Sequence, residues 1–420
     1  MRICVEGGQP LNGTYHPAGN PNAAMALTAA ALLTDKPVTL YNVPAATSTA
    51  AVIALAERLG AVITSGDRGA LCIRAEHLSG RVLTQADTAT SIGPILFLAP
   101  LLVRRQHVRI EFDFPLNRIR THLEALRDLG QDVATVNGAV ECRAVVWDYQ
   151  DIILAQASVT ATALVMMLAA ALGKETIVHN AACEPHIREL ALFLESMGAH
   201  IEGIGSNMLR ILSPKELTGA EAEIGCNHIE AASIAALAAL TGGRVQIEGI
   251  RASDMRMIER VYQRFGIQLD MDETTIFVPK HRQLVASNRE EDTDASIETA
   301  IWPGFPSDLV AVATVIATQT RGTSLIHEKL FNNRLLFVDR LKAMGAQIVL
   351  CDPHRAIVVG PTPLYAIYMD SPDVRAGLGM VAAALVASGT SVIDNAQALE
   401  HTFGGVIPRL QGLGARIEVT

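Results

Sequence analysis

Residues 59–61 read Leu-Gly-Ala, the first of six related phrases that decide the fold. The glycines of these phrases are Gly60, Gly130, Gly198, Gly266, Gly345 and Gly414. They are separated by 70, 68, 68, 79 and 69 residues. So regular a period, met six times in one chain, predicts a repeat architecture.

Three further features keep the same period. A short strand precedes each glycine, at residues 38–40, 108–110, 177–178, 245–247, 324–326 and 391–393. Before each strand comes an Ala-rich helix that is apolar on every face, at about residues 22–33, 91–103, 157–172, 228–241, 307–320 and 374–388. Such helices must be buried. Between strand and glycine lies an amphipathic helix, such as 187–197 or 335–344, and the glycine suits the left-handed position that closes it.

This order of parts predicts an α/β fold built from βαβαββ repeats. We expect two similar lobes of three repeats each, with a cleft between them. The first lobe is residues 21–226, and the second is residues 1–20 plus 227–420. The boundary follows the third repeat, near residues 224–227.

The charge and hydrophobic composition argue against some classes of partner. Lys and Arg number 34 against 43 Asp and Glu, a net charge of −9, so we expect no nucleic-acid partner. Any anionic ligand then needs local positive groups. The hydrophobic share is 50% but the aromatic share only 4%, as expected for closely packed helices of small residues.

The cysteines indicate a reducing compartment. They are scattered without a CxxC pair, and no secretory signal precedes them, so we expect a cytoplasmic protein. Their positions are Cys4, Cys72, Cys142, Cys183, Cys226 and Cys351.

Residues 152–173 carry no formal charge and raise the question of a membrane span. The stretch holds Gln156, Ser158, Thr160 and Thr162 and is rich in small residues. A bilayer requires a more uniformly apolar run. We therefore expect a buried helix and no membrane partner.

Short polar residues stand at or near the starts of the buried helices. N-capping explains most such residues taken singly. Helix starts that converge on a cleft would also present free N–H groups to an anion. The residues are Asn22, Ser91, Ser158, Glu230, Asp308 and Asp373.

The most individual loop runs from Trp302 to Asp308 and holds two prolines. It delivers Asp308 to the first turn of a buried helix, where the carboxylate can act as a general base toward a hydroxyl or simply cap the helix. Basic residues follow at Lys329 and Arg334; taken alone, such residues usually form solvated salt bridges.

Other chemistries have little support. Cys183-x-x-His186 and Cys226-Asn-His228 approach metal-ligand spacing but lack a second pair, so we expect no metal and no cofactor. The sequence contains no P-loop, no GxGxxG after a strand and no GxSxG.

With these features in place, the chain resembles the enolpyruvyltransferase superfamily from end to end, and in particular its UDP-N-acetylglucosamine 1-carboxyvinyltransferase branch. The segments that carry the resemblance are residues 19–25 (Gly-Asn-Pro-Asn-Ala-Ala-Met), 158–159, 180–185 (Asn-Ala-Ala-Cys-Glu-Pro), 305–308 (Phe-Pro-Ser-Asp), 331–334 (Phe-Asn-Asn-Arg) and 373–376 (Asp-Val-Arg-Ala).

The resemblance implies two inverse α/β barrel-like lobes that close on a nucleotide sugar and then on phosphoenolpyruvate. The family transfers the enolpyruvyl group to a sugar hydroxyl through a tetrahedral ketal and releases phosphate. Asp308 matches the aspartate proposed to deprotonate the acceptor, and Arg334 and Arg375 match basic positions that line the cleft. The positions expected to bind substrates are Asn22, Arg118, Arg120, His122, Ser158, Val159, Thr160, Glu184, Leu330, Arg375 and His401.

The departures from the family concern phosphoenolpyruvate. Its phosphate-binding lysine is Pro21 here, and three arginines appear as Ile92, Asn117 and His401. The mobile glycine-rich loop is shortened to residues 111–118 and has no cysteine, which leaves Asp113 as the candidate loop acid. Arg118, Arg120, Lys329, Arg334, Arg375 and His401 are candidate replacements for the missing cations.

Three hypotheses stay open at this point. The chain transfers an enolpyruvyl group to a hydroxyl of a UDP-sugar or related nucleotide, and specialised metabolism is one setting for that reaction. Alternatively, it keeps the acceptor site and Asp308 but performs other chemistry on a nucleotide-type ligand. The third hypothesis is a non-catalytic homologue. The sequence does not decide the oligomeric state.

Overall fold

The fold is α/β in a computed structural model that describes residues 1–66, 69–89, 91–286, 296–370 and 376–420. Helices α1 to α14 span Pro21–Ala31, Thr47–Arg58, Gln85–Thr88, Leu98–Arg105, Arg120–Asp128, Val159–Leu172, Pro185–Ser196, His228–Thr241, Arg256–Arg264, Val310–Gln319, Val338–Ala343, Gly377–Val386, Gln397–Thr402 and Val406–Gly412. Short 3-10 helices span Gly93–Phe97, Leu116–Ile119, Ala252–Asp254 and Ser307–Leu309.

The strands are short and numerous. Strands β1 to β25 span Ile3–Glu6, Asn12–Tyr15, Val38–Tyr41, Val62–Ser65, Leu71–Arg74, Val82–Leu83, His107–Glu111, Asp132–Val136, Ala139–Arg143, Trp147–Ile153, Gly173–His179, His200–Glu202, Met208–Leu212, Glu221–Glu223, Arg244–Glu248, Asp270–Met271, Thr275–Val278, Leu284–Val285, Ser296–Glu298, Thr320–His327, Gln347–Asp352, Arg355–Gly360, Tyr368–Asp370, Thr390–Asp394 and Arg416–Val419.

The chain divides into two compact units. The terminal unit comprises Met1–Ala18, Ala45–Thr47 and Cys226–Thr420. The central unit comprises Gly19–Pro44 and Ser48–Gly225. Each unit has its own hydrophobic core.

The described residues of each unit form three sheets, and all six sheets share one arrangement of strands. In the central unit the strand orders are β14-β3-β5-β4, β6-β7-β9-β8 and β10-β11-β13-β12. In the terminal unit they are β2-β15-β17-β16, β18-β20-β22-β21 and β23-β24-β1-β25, with β19 also pairing with β20. One edge pair in each sheet is parallel, β19 also pairs with β20 in parallel, and the other neighbours are antiparallel. All six predicted strands are confirmed, as β3, β7, β11, β15, β20 and β24.

The buried helices form the core of each unit. In the central unit α4 packs against α1 and α6, and in the terminal unit α8, α10 and α12 pack on one another. A Cβ added to Gly379 on α12 would lie only 2.7 Å from the Cβ of Ala311 on α10. Small residues therefore set the spacing of these helices, as the composition suggested.

Two of the buried helices begin differently from the sequence expectation. The predicted helix at 91–103 is a 3-10 turn, Gly93–Phe97, followed by α4, and the one at 307–320 is a 3-10 turn, Ser307–Leu309, followed by α10. A Cβ added to Gly93 would lie 2.1 Å from Met25 Sδ, so a side chain at this position would require Met25 to shift. The one predicted at 374–388 corresponds to α12, and its first two residues lie outside the described ranges.

The glycine prediction is confirmed at all six positions. Each glycine has positive φ, between 78° and 110°. A side chain is strained in that conformation, so glycine is required where each amphipathic helix turns into the next strand.

The uncharged stretch 152–173 covers the end of β10, a connecting segment and α6. Ten consecutive residues of α6, from Ala161 to Ala170, are buried. No helix in the described ranges has both the length and the apolar character needed to cross a bilayer.

Candidate functional site

Asp308 and Arg334 meet in the terminal unit. Asp308 lies in the 3-10 turn before α10, and Arg334 lies in the loop that follows β20. Arg334 Nη1 donates to Asp308 Oδ1 at 3.0 Å and to the Ser307 carbonyl oxygen at 3.3 Å. The arginine side chain is 7% exposed, whereas the aspartate side chain is 53% exposed. The result is an accessible carboxylate fixed on one oxygen by a buried cation.

One further contact orients Arg334. Its guanidinium carbon lies 4.7 Å from the centroid of the Phe331 ring. Its Nε is shielded from solvent and has no hydrogen-bond partner in the described part of the chain. The expectation of a solvated salt bridge is thus wrong for Arg334, because the ring and the loop bury it.

Lys329 lies in a different environment. Its Nζ donates to Glu298 Oε2 at 2.8 Å, and both side chains are close to half exposed. Here the expected surface salt bridge is confirmed. Leu330 follows; its side chain is 38% exposed and its N–H donates to Glu328 at 2.8 Å.

Glu328 is a site residue that sequence reasoning missed. It is fully buried at the end of β20 and accepts four hydrogen bonds. The donors come from both loops that carry Asp308 and Arg334. A lone glutamate after a strand has no motif to mark it.

A second missed cluster joins Tyr15, Glu230 and Arg409. Tyr15 Oη donates to Glu230 Oε1 at 2.6 Å, and Arg409 Nη2 donates to the same oxygen at 2.8 Å. Arg409 Nε also donates to Tyr15 Oη at 3.1 Å. Burial raises the pKa of Glu230 and of Tyr15. The cluster ties β2, α8 and α14 together.

In the central unit, His122 on α5 meets Thr160 on α6. His122 Nε2 lies 2.7 Å from Thr160 Oγ1, and the histidine is 3% exposed. Burial lowers the pKa of His122 to about 4, so the imidazole is neutral at pH 7. Ser158 caps α6 by accepting from Ala161 N at 3.3 Å, and Val159 is the first residue of that helix.

The segment from Asp113 to Arg120 is solvent-facing at most of its polar residues. Asp113 and Asn117 are exposed. The Arg118 guanidinium carbon lies 4.9 Å from the Phe114 ring centroid. Arg120 Nε donates to Glu124 at 2.6 Å, one helical turn on, with 77% of its side chain exposed. Arg120 is therefore already paired, while Arg118 has no carboxylate partner among the described residues.

The capping explanation is correct for Ser158 and wrong for several of the other residues. Asn20, not Asn22, caps α1: its Oδ1 accepts from Asn22 N at 2.9 Å, and the Asn22 side chain is exposed. Asn227, not Glu230, caps α8. Asp308 caps no helix, since its carboxylate binds Arg334.

The other positions predicted to bind substrates lie on separate elements. Glu184 directly precedes α7 and is half-buried, and its carbonyl oxygen accepts from Ile187 N at 2.9 Å. His401 is half-buried on α13. Arg375, together with Asp373, lies outside the described residues.

Comparisons with known proteins agree along the whole chain. The family described as EPSP synthase (3-phosphoshikimate 1-carboxyvinyltransferase) matches residues 5–410. The UDP-N-acetylglucosamine 1-carboxyvinyltransferase of Treponema denticola is 39% identical over 99% of this chain and 98% of its own. Its counterpart in Bradyrhizobium diazoefficiens is 40% identical over 100% of this chain and 98% of its own.

Solved structures agree on the fold. The enolpyruvyl transferase NikO of Streptomyces tendae superimposes with a TM-score of 0.87 at 19% identity, over 99% of this chain and 98% of that chain. EPSP synthase of Acinetobacter baumannii gives 0.78 at 16% identity, over 100% of this chain and 99% of that one. Both the resemblance and the fold class are confirmed: this chain belongs to the EPSP synthase family of enolpyruvyl (carboxyvinyl) transferases.

Proposed function

We propose that this protein transfers the enolpyruvyl group of phosphoenolpyruvate to a hydroxyl of a UDP-sugar or related nucleotide and releases phosphate. The observation that carries the proposal is the accessible Asp308 carboxylate anchored by buried Arg334. The end-to-end similarity to UDP-N-acetylglucosamine 1-carboxyvinyltransferases supports the choice of substrates.

In the proposed reaction, the acceptor oxygen bonds to C2 of phosphoenolpyruvate while its proton leaves to a base. C3 gains a proton, which gives a tetrahedral ketal. Loss of phosphate and of one C3 proton then restores the double bond on the new ether. Asp308 is the proposed base, because a carboxylate held on one oxygen and half exposed can accept a proton from a bound hydroxyl.

The nucleotide is assigned to the start of α6 and its surroundings. Ser158, Val159 and Thr160 form the first turn of that helix, where free N–H groups favour phosphate oxygens. His122 adds a polar group to this region, and because its imidazole is neutral, no charge is buried there. The resemblance assigns Asn22 to the acceptor sugar and Glu184 to substrate binding.

Arg118 is the proposed cation of the central unit for phosphoenolpyruvate, since Arg120 is already paired with Glu124. Arg375 and His401 are the proposed contributors from the second half of the chain. Asp113 is proposed as the loop acid that supplies the C3 proton; its exposed position at the shortened segment leaves it accessible to a ligand.

One observation favours the alternative of a nucleotide-binding member with other chemistry. Ile92 packs against the core of the central unit, and Pro21 is the first residue of α1. Neither side chain can pair with a trianion, and a hydrogen bond to a charged group is worth about 1.5 to 3 kcal/mol of binding free energy.

Three further expectations stay predictions. They are the two repeat-built lobes with bounds 21–226 and 1–20 plus 227–420, the cytoplasmic location, and a role in specialised metabolism.

Phosphate release, measured with phosphoenolpyruvate and a panel of UDP-sugars and uridine nucleotides, tests the proposal. We expect release that depends on one acceptor class and falls by about 10²- to 10⁴-fold in Asp308→Asn. Asp339→Asn, an exposed carboxylate on α11, is the matched control. Nucleotide binding by calorimetry without phosphate release for any acceptor would favour the alternative chemistry. Absence of both would favour the non-catalytic homologue.

A further inference from the structure

Glu328 carries a buried carboxylate that no sequence motif marks. Its side chain is 0% exposed, at the point where β20 ends. Oε1 accepts from Thr299 Oγ1 at 3.0 Å, from Leu330 N at 2.8 Å and from Phe331 N at 3.1 Å. Oε2 accepts from Ser307 Oγ at 2.5 Å. A buried charge with this many donors is held in one orientation.

The four donors lie on two loops. Thr299 and Ser307 stand at the two ends of the segment that leads to Asp308. Leu330 and Phe331 begin the segment that leads to Arg334. One carboxylate therefore joins the two loops that carry the Asp308–Arg334 pair.

The connection to the pair is direct at Ser307. Its hydroxyl donates to Glu328, while its carbonyl oxygen accepts from Arg334 Nη1 at 3.3 Å. Phe331 gives a second connection, since its N–H binds Glu328 and its ring lies under the Arg334 guanidinium. Of the three residues that contact Arg334, Ser307 and Phe331 are thus themselves bound by Glu328, and the third, Asp308, directly follows Ser307.

Backbone contacts fix Glu328 in turn. Its N–H donates to the His354 carbonyl oxygen at 2.8 Å, and its own carbonyl oxygen lies 2.9 Å from His354 Nδ1. Thr299 Oγ1, besides donating to Glu328, accepts from Lys329 N at 2.9 Å. The carboxylate therefore sits on a rigid strand end rather than on a free loop.

We propose that Glu328 is a positioning residue for the reaction: it sets the orientation of Asp308 and Arg334 through Ser307 and Phe331 without touching substrate. The predicted effect of Glu328 on kcat rests on the proposed function. The effect of Glu328 on the order of the 299–308 loop stands apart from that function.

The chain offers a reporter for that loop. Trp302 lies within it, and the sequence contains one other tryptophan, Trp147, buried in the central unit. In a Trp147→Phe background, quenching of Trp302 fluorescence by acrylamide reads the order of the loop without any substrate.

Glu328→Ala in that background removes the acceptor of all four bonds. We expect the quenching constant of Trp302 to rise clearly, with far-UV circular dichroism unchanged. We expect kcat to fall about 100-fold with KM little changed, as for misplacement of a catalytic group. Glu298→Ala removes a neighbouring but exposed carboxylate and should leave both readouts as in the parent.

Glu328→Gln is the rescue. Its amide oxygen can accept from Thr299, Leu330 and Phe331, and its NH₂ can donate to Ser307 Oγ, which reverses that bond. Quenching should return to the parent value and most of kcat with it. Should Glu328→Ala fail to fold, Thr299→Val removes one of the four bonds to Glu328, together with the bond from Lys329 N to Thr299, and is judged by the same two measurements.

Equal quenching and equal kcat in Glu328→Ala and Glu298→Ala would overturn the proposal. A fall in kcat without a change in quenching would also overturn it, because the loop would then be ordered independently of Glu328. If the parent protein shows no turnover, the proposed function fails, while the quenching comparison still decides the role of Glu328.

Discussion

Tyr15 donates a 2.6 Å hydrogen bond to Glu230 across 215 residues of sequence, and Arg409 binds the same carboxylate oxygen. Removing the cation leaves a buried carboxylate uncompensated, so Arg409→Met should lower the free energy of unfolding by about 3 to 5 kcal/mol. Tyr15→Phe should cost about 1.5 to 3 kcal/mol, the usual value for a hydrogen bond to a charged group.

Urea denaturation followed by circular dichroism measures both changes. Arg416→Met is the control, because Arg416 pairs with Glu6 on the surface and its side chain is 63% exposed. That pair should contribute no more than about 1 kcal/mol. Similar losses in Arg409→Met and Arg416→Met would show that the buried cluster does not stabilise the terminal unit.

Arg334→Lys tests whether the planar guanidinium is needed beside Asp308. Lysine keeps the charge but lacks the planar group that lies over the Phe331 ring while Nη1 donates to Asp308 and to the Ser307 carbonyl oxygen. We expect a fall in kcat of about 100-fold, with the far-UV spectrum retained. Arg340→Lys, an exposed residue on α11, should behave as the parent protein. Parental kcat in Arg334→Lys would mean that charge alone suffices.

His122 should make the stability of the protein depend on pH. Its pKa is about 4 in the folded chain and near 6.5 when exposed, so the folded state binds fewer protons. The stabilisation is complete above pH 6.5 and is lost as the pH falls from 6.5 to 4. Between pH 7.5 and 5 the loss is about 2 kcal/mol.

The measurement is the difference between parent and His122→Gln in urea denaturation at the two pH values. Glutamine can still bind Thr160 but does not titrate. The parent should lose about 2 kcal/mol more than the variant on acidification. His200→Gln, on the exposed strand β12, is the control and should follow the parent. Parallel losses in parent and His122→Gln would contradict the assignment.

Gly379→Ala should destabilise the terminal unit. The new Cβ would lie 2.7 Å from Ala311 Cβ and 3.1 Å from Ala311 C, so α10 and α12 must separate. Overpacking of this kind costs about 1 to 3 kcal/mol. Gly412→Ala is the matched control, because its Cβ would meet nothing within 4 Å. Equal thermal midpoints for the two variants would show that α10 and α12 can separate without loss of stability.

The sequence was most informative where the signal is local. The six strands and the six closing glycines each depend on a few neighbouring residues, and all are where the pattern predicts them. Capping was less predictable, since an offset of two residues distinguishes Asn20 from Asn22. The start of α4 was also less predictable, because the apolar pattern does not distinguish the 3-10 turn Gly93–Phe97 from the helix that follows it.

In the candidate site, too, residues marked by a local motif were predictable and residues brought together by the fold were not. The resemblance singled out Asp308 and Arg334, and they form one ion pair. Glu328 escaped notice because its role arises only when residues 299–307 and 330–331 are brought to one point. Arg409 and Tyr15 are 394 residues apart, and no period or motif joins them.

The pairing of β1 with β25 has a consequence for biosynthesis. Ile3 pairs with Val419 and Glu6 with Arg416, so β1 gains this neighbour only after residues 416–419 have been translated. The central unit, complete at Gly225, can fold while the rest of the chain is still being translated. Until residues 390–419 emerge, β1 has neither antiparallel neighbour and exposes an unsatisfied backbone edge. A nascent chain stalled before residue 390 should therefore resist protease in its central unit, while β1 stays unpaired and accessible to chaperones.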